Sequence, residues 1–472
     1  MKQYLKFFSE KKWLTTAILG ALAFSFILVT TLNLTLAFFS LIIFSSLAIF
    51  QRSFHYGLVF FLAVISIFPP FSIISNVINT GELFVLILAL VGVISLVLDR
   101  HRFKMLPLFY YWAGLIILFG GVLTLSGDNI KIFYGINQTT INQFTMVFVI
   151  YPIIIVSFQY FFQTTRRLER FFLIIIFVGT IQSIIGIVLF SGFFEITQSF
   201  QLESRPWSML LAITVPITLG MWLIQKSALS TLEFLWVKRG RKNISQVIDA
   251  VFVDESIISK QTIVNLKQPR INTQIVLMGS LALQCISLII TFSYISLIAI
   301  GVGVFIIGVL MRNRKIVLTV LSLLLLLVIV LPGFEPVLTL QLKQGTLDLL
   351  LGIKNSQNLE LLWQGIEPYG QQQIDNSYLF IFNKLGLVGL VIFVLGLVQY
   401  FKEIRSAYLK SDEFERIWLV VTLAIFMEFV LLGAVSNVFF AWPAALLFWL
   451  LYGALQNLKS RKKEYGLMET RL

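Results

Sequence analysis

The chain has 472 residues, of which 58% are apolar and 12% are charged, and its mean hydropathy is +0.90. A soluble protein of this length needs a shell of charged side chains that this composition cannot supply, so a soluble globular enzyme is excluded. The formal net charge of +13 could indicate nucleic-acid binding. The positions of the basic residues along the chain decide whether it does.

Apolar stretches long enough to cross a bilayer recur along the chain. Crossing takes about 20 residues, and every backbone amide in the hydrocarbon must be hydrogen-bonded within its own segment, so these stretches predict helices. The sequence therefore predicts an all-α, polytopic membrane helix bundle of about 14 transmembrane helices (12–14), with residues 1–472 forming a single membrane domain. The spans are placed at 13–31, 34–50, 54–73, 83–98, 106–125, 144–163, 171–190, 207–225, 273–291, 295–311, 316–332, 378–400, 417–435 and 438–456.

The basic residues predict the orientation of these spans. Lys and Arg accumulate in cytoplasmic loops, and with the N-terminus inside, only four of the 36 fall in outer loops: Lys131, Arg205, Lys343 and Lys354. Lys384 lies within a span. Both termini are therefore expected in the cytoplasm, in a multi-pass protein of the cytoplasmic (inner) membrane. The positive charge is explained by orientation and by contact with anionic membrane lipids, so no nucleic acid partner is expected.

Two long connections separate the predicted spans. Residues 226–272 form a basic cytoplasmic loop, interpreted either as a solvated connector or as short interfacial helices. Residues 332–377 form a large outer (periplasmic or extracellular) loop rich in acidic and amide side chains. Structureless loops of that length are uncommon and often functional, so we expect short helices there, for example from Pro336 to Gly352.

The sequence carries none of the familiar catalytic or metal-binding patterns. His55 and His101 both lie beside basic residues on the predicted cytoplasmic side. There is no His/Cys cluster with metal-ligand spacing, no Gly-rich phosphate loop and no nucleophile elbow. The single cysteine, Cys285, rules out an internal disulfide. We expect neither a metal nor a cofactor.

Arg205 is the only arginine predicted on the outer side, immediately before a span. Its planar, permanently charged fork suits a phosphate group. The alternative is an interfacial arginine that anchors the span beside Trp207. Both interpretations remain open.

Asp375 and Ser377 lie where the outer loop meets the span 378–400. Either residue is of a type that caps a helix N-terminus, and the positive end of that helix favours an anionic group at the outer surface. Deeper in the spans, Lys384 and Glu428 are charged residues in apolar surroundings, which by default mark a site or a buried pair. On straight helices both lie roughly 12 Å below the outer surface, so an ion pair between them is the alternative to a site.

Three short motifs follow one another in the second half of the chain. They are a loop glycine, a polar and aromatic motif, and a paired-glycine motif: Gly365; Asn376, Tyr378 and Leu379; Gly386, Gly389 and Leu390. They resemble motifs of the O-antigen polymerase and ligase superfamily, which polymerises or attaches lipid-linked polysaccharide repeats. Arg205 with the following Pro216, and Thr291-Phe292-Ser293-Tyr294, are similar to two further family features. Three departures stand out: Asp375 replaces a histidine, Tyr294 replaces an arginine, and the second loop glycine is displaced.

The resemblance implies a membrane glycosyltransferase that polymerises or ligates polyprenyl-diphosphate-linked oligosaccharide on the outer face of the membrane. It implies Asp375 as the catalytic base near the acceptor hydroxyl. It also implies that Arg205 and Lys384 contact the diphosphate. The full set of substrate-binding candidates is Arg205, Lys384, Asn376, Tyr378, Glu428, Lys343 and Ser293. The implied partners are a polyprenyl-diphosphate oligosaccharide, a glycan acceptor and, for a polymerase, a chain-length regulator protein.

Two alternatives stay open. The first is a lipid-linked oligosaccharide flippase or other polysaccharide transporter, which usually shows related halves and short outer loops. The second is an inactive relative of the enzymes, because the histidine and one arginine are replaced. The sugar, the linkage, and the choice between polymerase and ligase are not specified by the sequence.

Overall fold

The computed structural model describes residues 72–74, 78–79, 89, 106–125, 143–161, 165–190, 209–224, 270–290, 294–330, 376–411, 413–441 and 444–469. Within them, the one departure from helices and their connecting turns is a short antiparallel hairpin, in which β1 (Ser72–Ile74) pairs with β2 (Ile78–Asn79). The first two residues of the hairpin, 72 and 73, belong to the predicted span 54–73. The predicted loops 226–272 and 332–377 and the predicted helix Pro336–Gly352 lie outside these residues, apart from the ends of the loops.

Ten α-helices lie in the described part of the chain. They are α1 (Pro107–Leu125), α2 (Tyr151–Phe161, preceded by a π-helical turn over Met146–Ile150), α3 (Thr165–Phe190), α4 (Met209–Ile224), α5 (Arg270–Ile290), α6 (Tyr294–Leu310), α7 (Arg314–Val330), α8 (Ser377–Lys410), α9 (Glu413–Gly433) and α10 (Ala444–Glu469). Each predicted span from 106 onward coincides with one of them, so its helical character is confirmed. Several boundaries were wrong: α3 begins at Thr165 instead of 171, α8 continues past the predicted residue 400 to Lys410, and α10 covers Ala444–Glu469 instead of 438–456.

Three described segments are long and apolar enough to cross a bilayer: Phe171–Val188 in α3, Ser377–Leu409 in α8 and Glu415–Gly433 in α9. Along α3, the apolar side chains of Leu173, Phe177 and Ile184 are exposed on one face. A stripe of this kind is rarely left facing water and is favourable against lipid. Together these features indicate a membrane protein built from helices.

The buried centre of the described bundle contains α4, α9 and the first half of α10. Almost every residue of α4 is buried, and in α9 so are Trp418 and Phe429. Around this centre, α6 packs on α9, α1 packs on α8, and α3 packs on α5. The helices that carry the candidate residues, α8 and α9, therefore contact each other and the core.

Aromatic rings connect α1, α8 and α10. The ring of Trp449 in α10 meets that of Trp112 in α1 edge to face, with centroids 4.9 Å apart. It also lies 6.4 Å from the ring of Tyr400 in α8. Aromatic pairs of this geometry contribute about 0.5–1.5 kcal/mol each beyond their buried area. They hold α8 in a fixed position relative to its neighbours.

Candidate functional site

Helix α8 reverses direction at Gly386. This residue has φ 66° and ψ −169°, a conformation essentially restricted to glycine. The rings of Tyr378 and Phe393 have centroids 6.2 Å apart, whereas 15 residues of straight helix would separate the two Cα atoms by about 22 Å. The helix therefore consists of a short half-helix, residues 377–385, folded against a long half, residues 387–410.

Gly389 provides the space that this reversal needs. A Cβ atom at Gly389 would overlap the Cβ atom of Leu385, although Cβ atoms four residues apart on a continuous helix are about 5–6 Å apart. Gly386 supplies the backbone conformation and Gly389 the close approach. The paired glycines of the sequence thus have one shared physical purpose, which is to break the helix sharply.

Asn376 caps the short half-helix. Its Oδ1 accepts hydrogen bonds from the backbone N–H groups of Tyr378 (2.9 Å) and Leu379 (3.1 Å). Its Nδ2 donates to the backbone carbonyl of Ala434, just after α9. The prediction of Ser377 as the cap is wrong, because Ser377 already belongs to the helix and Asn376 supplies the capping oxygen. The other predicted cap, Asp375, lies outside the described residues.

The short half-helix is also bonded to the connector, defined as residues 434–441 between α9 and α10. Ser377 Oγ lies 3.1 Å from the carbonyl oxygen of Ser436 and accepts from the N–H of Phe439 at 3.3 Å. The hydroxyl of Tyr378 donates to the carbonyl of Val430 near the end of α9 (2.9 Å). The side chains of Asn376 and Tyr378 therefore bond to backbone groups and position the half-helix.

The body of the short half-helix is buried. The ring of Phe380 packs against Phe440 of the connector, at 4.9 Å between centroids, and against Phe144, at 5.6 Å. Asn383 and Lys384 are both more than nine-tenths buried, and Asn383 Nδ2 donates no hydrogen bond to the described residues. A polar amide and an amine thus lie buried immediately before the break at Gly386.

The predicted ion pair between Lys384 and Glu428 is not observed as a hydrogen-bonded pair. Glu428 in α9 is fully buried, and neither of its oxygens accepts a hydrogen bond from the described part of the chain. The carboxyl group of Glu428 lies directly over Gly303 of α6 instead, so this side chain is directed at α6. A carboxyl group with no exposed surface cannot contact a substrate in this conformation, so Glu428 is not placed with the substrate-binding candidates.

Four predicted site residues lie outside the described residues: Asp375, Arg205, Lys343 and Ser293. The structure therefore brings together Asn376, Tyr378 and the two glycines, with Lys384 close to the break. Among the residues that are described, no group of three His, Cys, Asp or Glu side chains is arranged to hold a metal ion.

A buried carboxylate at the far end of α8 was missed by the sequence analysis. Glu403 Oε1 accepts hydrogen bonds from the hydroxyl of Tyr452 (3.0 Å) and from Gln399 Nε2 (3.1 Å). Its Oε2 accepts from Gln456 Nε2. A signal was available, since Gln399 and Glu403, like Tyr452 and Gln456, are four residues apart and share a helix face. It was overlooked because Glu403 lies beyond the predicted end of the span, between basic residues.

A polar seam between α3, α4 and α5 was missed as well. Thr180 bonds to Ser280 between α3 and α5, and Thr218 Oγ1 in α4 donates to Gln284 Oε1 in α5 (3.1 Å). Gln284 Nε2 and Thr214 Oγ1 are buried without a hydrogen-bond partner among the described residues. Each of these side chains is a single polar residue in an apolar helix, so only the packing of the three helices brings them together.

No family model, curated protein or solved structure matches the chain. The functional interpretation therefore rests on the residues of the chain itself.

Proposed function

We propose that the chain is a membrane glycosyltransferase that polymerises or ligates polyprenyl-diphosphate-linked oligosaccharide on the outer face of the cytoplasmic membrane. In this proposal about 14 helices span the membrane, as the sequence predicts from its apolar runs, and both termini are cytoplasmic. The observation that carries it is the reversal at Gly386. Asn376, Tyr378, Gly386 and Gly389 are the residues that resemble the O-antigen polymerase and ligase superfamily, and all four serve this one local structure.

The chemistry of the break supports an anionic ligand. The first N–H groups of the long half have no carbonyl partner in their own helix, and together they carry a partial positive charge that favours phosphate. The buried Lys384 lies just before the break, together with Asn383, whose amide N–H groups donate no hydrogen bond within the described part of the chain. Broken helices at membrane depth occur where the backbone lines a polar cavity or a binding site.

The proposed reaction is a glycosyl transfer. An acceptor hydroxyl attacks the anomeric carbon of the donor, the bond between that carbon and the diphosphate oxygen breaks, and polyprenyl diphosphate leaves with the electron pair. A base takes the hydroxyl proton. Negative charge grows on the leaving diphosphate, so positive groups there stabilise the transition state more than the ground state.

We assign the base to Asp375, which directly precedes the capping residue Asn376 in the chain. Arg205 and Lys384 are assigned to the diphosphate, and Lys343 and Ser293 are further substrate-binding candidates. Asn376 and Tyr378 act by positioning the short half-helix through their bonds to Ala434 and Val430.

The second candidate is a transporter of the same lipid-linked oligosaccharide, which the broken helix also favours, because broken helices are common in transporters. Transporters built from two related halves carry a break in each half. Among the described helices, α8 is the one that contains a non-helical residue. The sequence has one long outer loop, residues 332–377, and no evident related halves, which favours the enzyme.

Purified protein in liposomes, supplied with polyprenyl-diphosphate oligosaccharide and a glycan acceptor, tests the proposal. We expect longer or ligated glycan together with released polyprenyl diphosphate, and we expect Lys384→Met to lose most of this activity. The matched control is Lys402→Met, because Lys402 is an exposed lysine on the same helix. Movement of intact donor across the bilayer without product would establish the transporter, and neither activity in folded protein would refute both proposals.

A further inference from the structure

Two carboxyl groups are buried in the described part of the chain, and their surroundings are opposite. Glu403 accepts hydrogen bonds from Tyr452, Gln399 and Gln456. Glu428 accepts none from the described residues, although both of its oxygens are inaccessible to solvent. An ionised carboxylate has acceptor sites only, and three donors satisfy it well, whereas burial without donors strongly disfavours the ionised form.

The surroundings of Glu428 on α6 and α9 are apolar. Its carboxyl group lies directly over Gly303 of α6, where any Cβ atom would overlap Oε1. One turn before it on α9 are Ala424 and Ile425, and Ile300 and Ile307 are buried on α6 near Gly303. The space for the carboxyl group is therefore provided by the absence of a side chain at residue 303.

Polar groups on the neighbouring helices do not donate to Glu428. No residue from 296 to 310 in α6, nor from 209 to 224 in α4, is charged. Lys384 on α8 makes no hydrogen bond to it, and Tyr452 on α10 donates to Glu403 instead. With no charged residue on these parts of α4 and α6 and no donor among the described residues, the stable form of this carboxyl group is the neutral acid.

We propose that Glu428 is a proton-binding site inside the membrane domain. The carboxylic acid holds its proton while α6 and α9 are packed as observed. The proton passes to water when the two helices separate enough to hydrate the carboxyl group, and the carboxylate takes a proton from water when they close. The site is distinct from the proposed transferase site, and its test requires no glycosyl transfer.

Glu428 lies close along α9 to a contact with the short half-helix of α8. Two residues further along α9, the carbonyl of Val430 accepts the hydrogen bond of the Tyr378 hydroxyl.

Infrared difference spectroscopy of protein in lipid nanodiscs tests the site directly. The spectrum of the parent minus that of Glu428→Gln, taken at neutral pH, should show the carbonyl stretch of a protonated carboxylic acid. The matched control is Glu403→Gln, whose difference spectrum should show the two stretches of an ionised carboxylate. Carboxylate bands in the Glu428→Gln difference would overturn the proposal.

Two further measurements complete the test. In the parent protein, the acid band should shift on transfer to heavy water and should convert reversibly to carboxylate bands in strongly alkaline buffer. An acid band that neither shifts nor titrates would identify a permanently neutral structural group and would also overturn the proposal. If Glu428→Gln does not fold, an apolar carbodiimide, which adds to protonated carboxyl groups, should modify Glu428 and spare Glu403 in the parent. Modification of Glu403 alone would contradict the assignment.

Discussion

Replacement of Gly386 by alanine is the most direct perturbation of the reversal in α8. At φ 66° and ψ −169° an L-residue is strained, and residues held in such sparsely populated regions cost about 1–3 kcal/mol each. The strain has no local outlet, because Leu385 and Gly389 are already in close approach on the two sides of the break. We therefore expect Gly386→Ala to lower the free energy of unfolding by about 1–3 kcal/mol.

Gly396→Ala is the matched control on the same helix. Its new Cβ atom would meet Leu108 and Tyr111 at the ordinary contact distance of 3.5 Å. In a regular helix, alanine is more favourable than glycine by about 0.5–1 kcal/mol. The two alanine variants should therefore move the free energy of unfolding in opposite directions, with a separation of roughly 1.5–4 kcal/mol.

Unfolding of the purified protein by increasing mole fractions of dodecyl sulfate, followed by circular dichroism, measures both variants against the parent. If α8 were a continuous helix, Gly386→Ala would resemble Gly396→Ala and would stabilise the protein. Equal or greater stability of Gly386→Ala than of the parent would refute the reversal and the interpretation of the paired glycines.

The remaining predictions concern the geometry, orientation and chemistry of the bundle. In a Cys285→Ala background, a short bifunctional thiol reagent should cross-link the pair Tyr378→Cys and Phe393→Cys. The same reagent should not cross-link the pair Tyr378→Cys and Phe401→Cys. Equal cross-linking of both pairs would contradict the reversal of α8. Gly303→Ala should lower the free energy of unfolding by about 1–3 kcal/mol, because the new Cβ atom overlaps Glu428. Gly279→Ala should be tolerated, because no atom lies within 4 Å of its new Cβ atom. Equal effects of the two variants in an unfolding titration would contradict the packing of Glu428 on Gly303. Cysteines that replace Ile130 and Asn355 should react with a membrane-impermeant thiol reagent in intact cells, and one that replaces Ser245 should not; labelling at 245 would reverse the orientation. Asp375→Asn should remain folded and lose transfer activity by a hundredfold or more, since a general base contributes about 10²–10⁴-fold to the rate. Asp375→His should retain measurable activity. An Asn variant that works at the parent rate would exclude Asp375 as the base.

Hydropathy predicted the helices of the described region well and failed at the internal break. Apolar runs identify helices because lipid leaves the backbone no other hydrogen-bonding partner. The same measure passes straight through Gly386, since glycine is neither strongly apolar nor charged and the residues on both sides of it are apolar. The resemblance drew attention to Gly386 and Gly389, but only the close approach of Leu385 and the Tyr378–Phe393 contact explain them.

The errors in the predicted site have a common physical origin. Tertiary contacts determine which of several locally equivalent residues takes a given structural role. Asp375, Asn376 and Ser377 are all good capping residues. Asn376 is the cap because its amide also reaches the carbonyl of Ala434, while the Ser377 hydroxyl is engaged by the connector. The expected pair of Lys384 with Glu428 failed for the same reason, since equal depth does not specify which neighbour a side chain faces, and the carboxyl group of Glu428 lies against Gly303 of α6.

The bonds of the short half-helix also determine the order in which the protein can be assembled. Asn376, Ser377 and Tyr378 bond to residues 58, 59 and 52 positions later in the chain. Because synthesis proceeds from the N-terminus, the segment around Gly386 enters the bilayer before any of these acceptors has been made. The reversal in α8 is therefore a late event of biogenesis, completed when α9 and the connector arrive. A nascent chain that ends before Val430 lacks every one of these acceptors, so the short half-helix has no bonding partners until α9 and the connector have been synthesised.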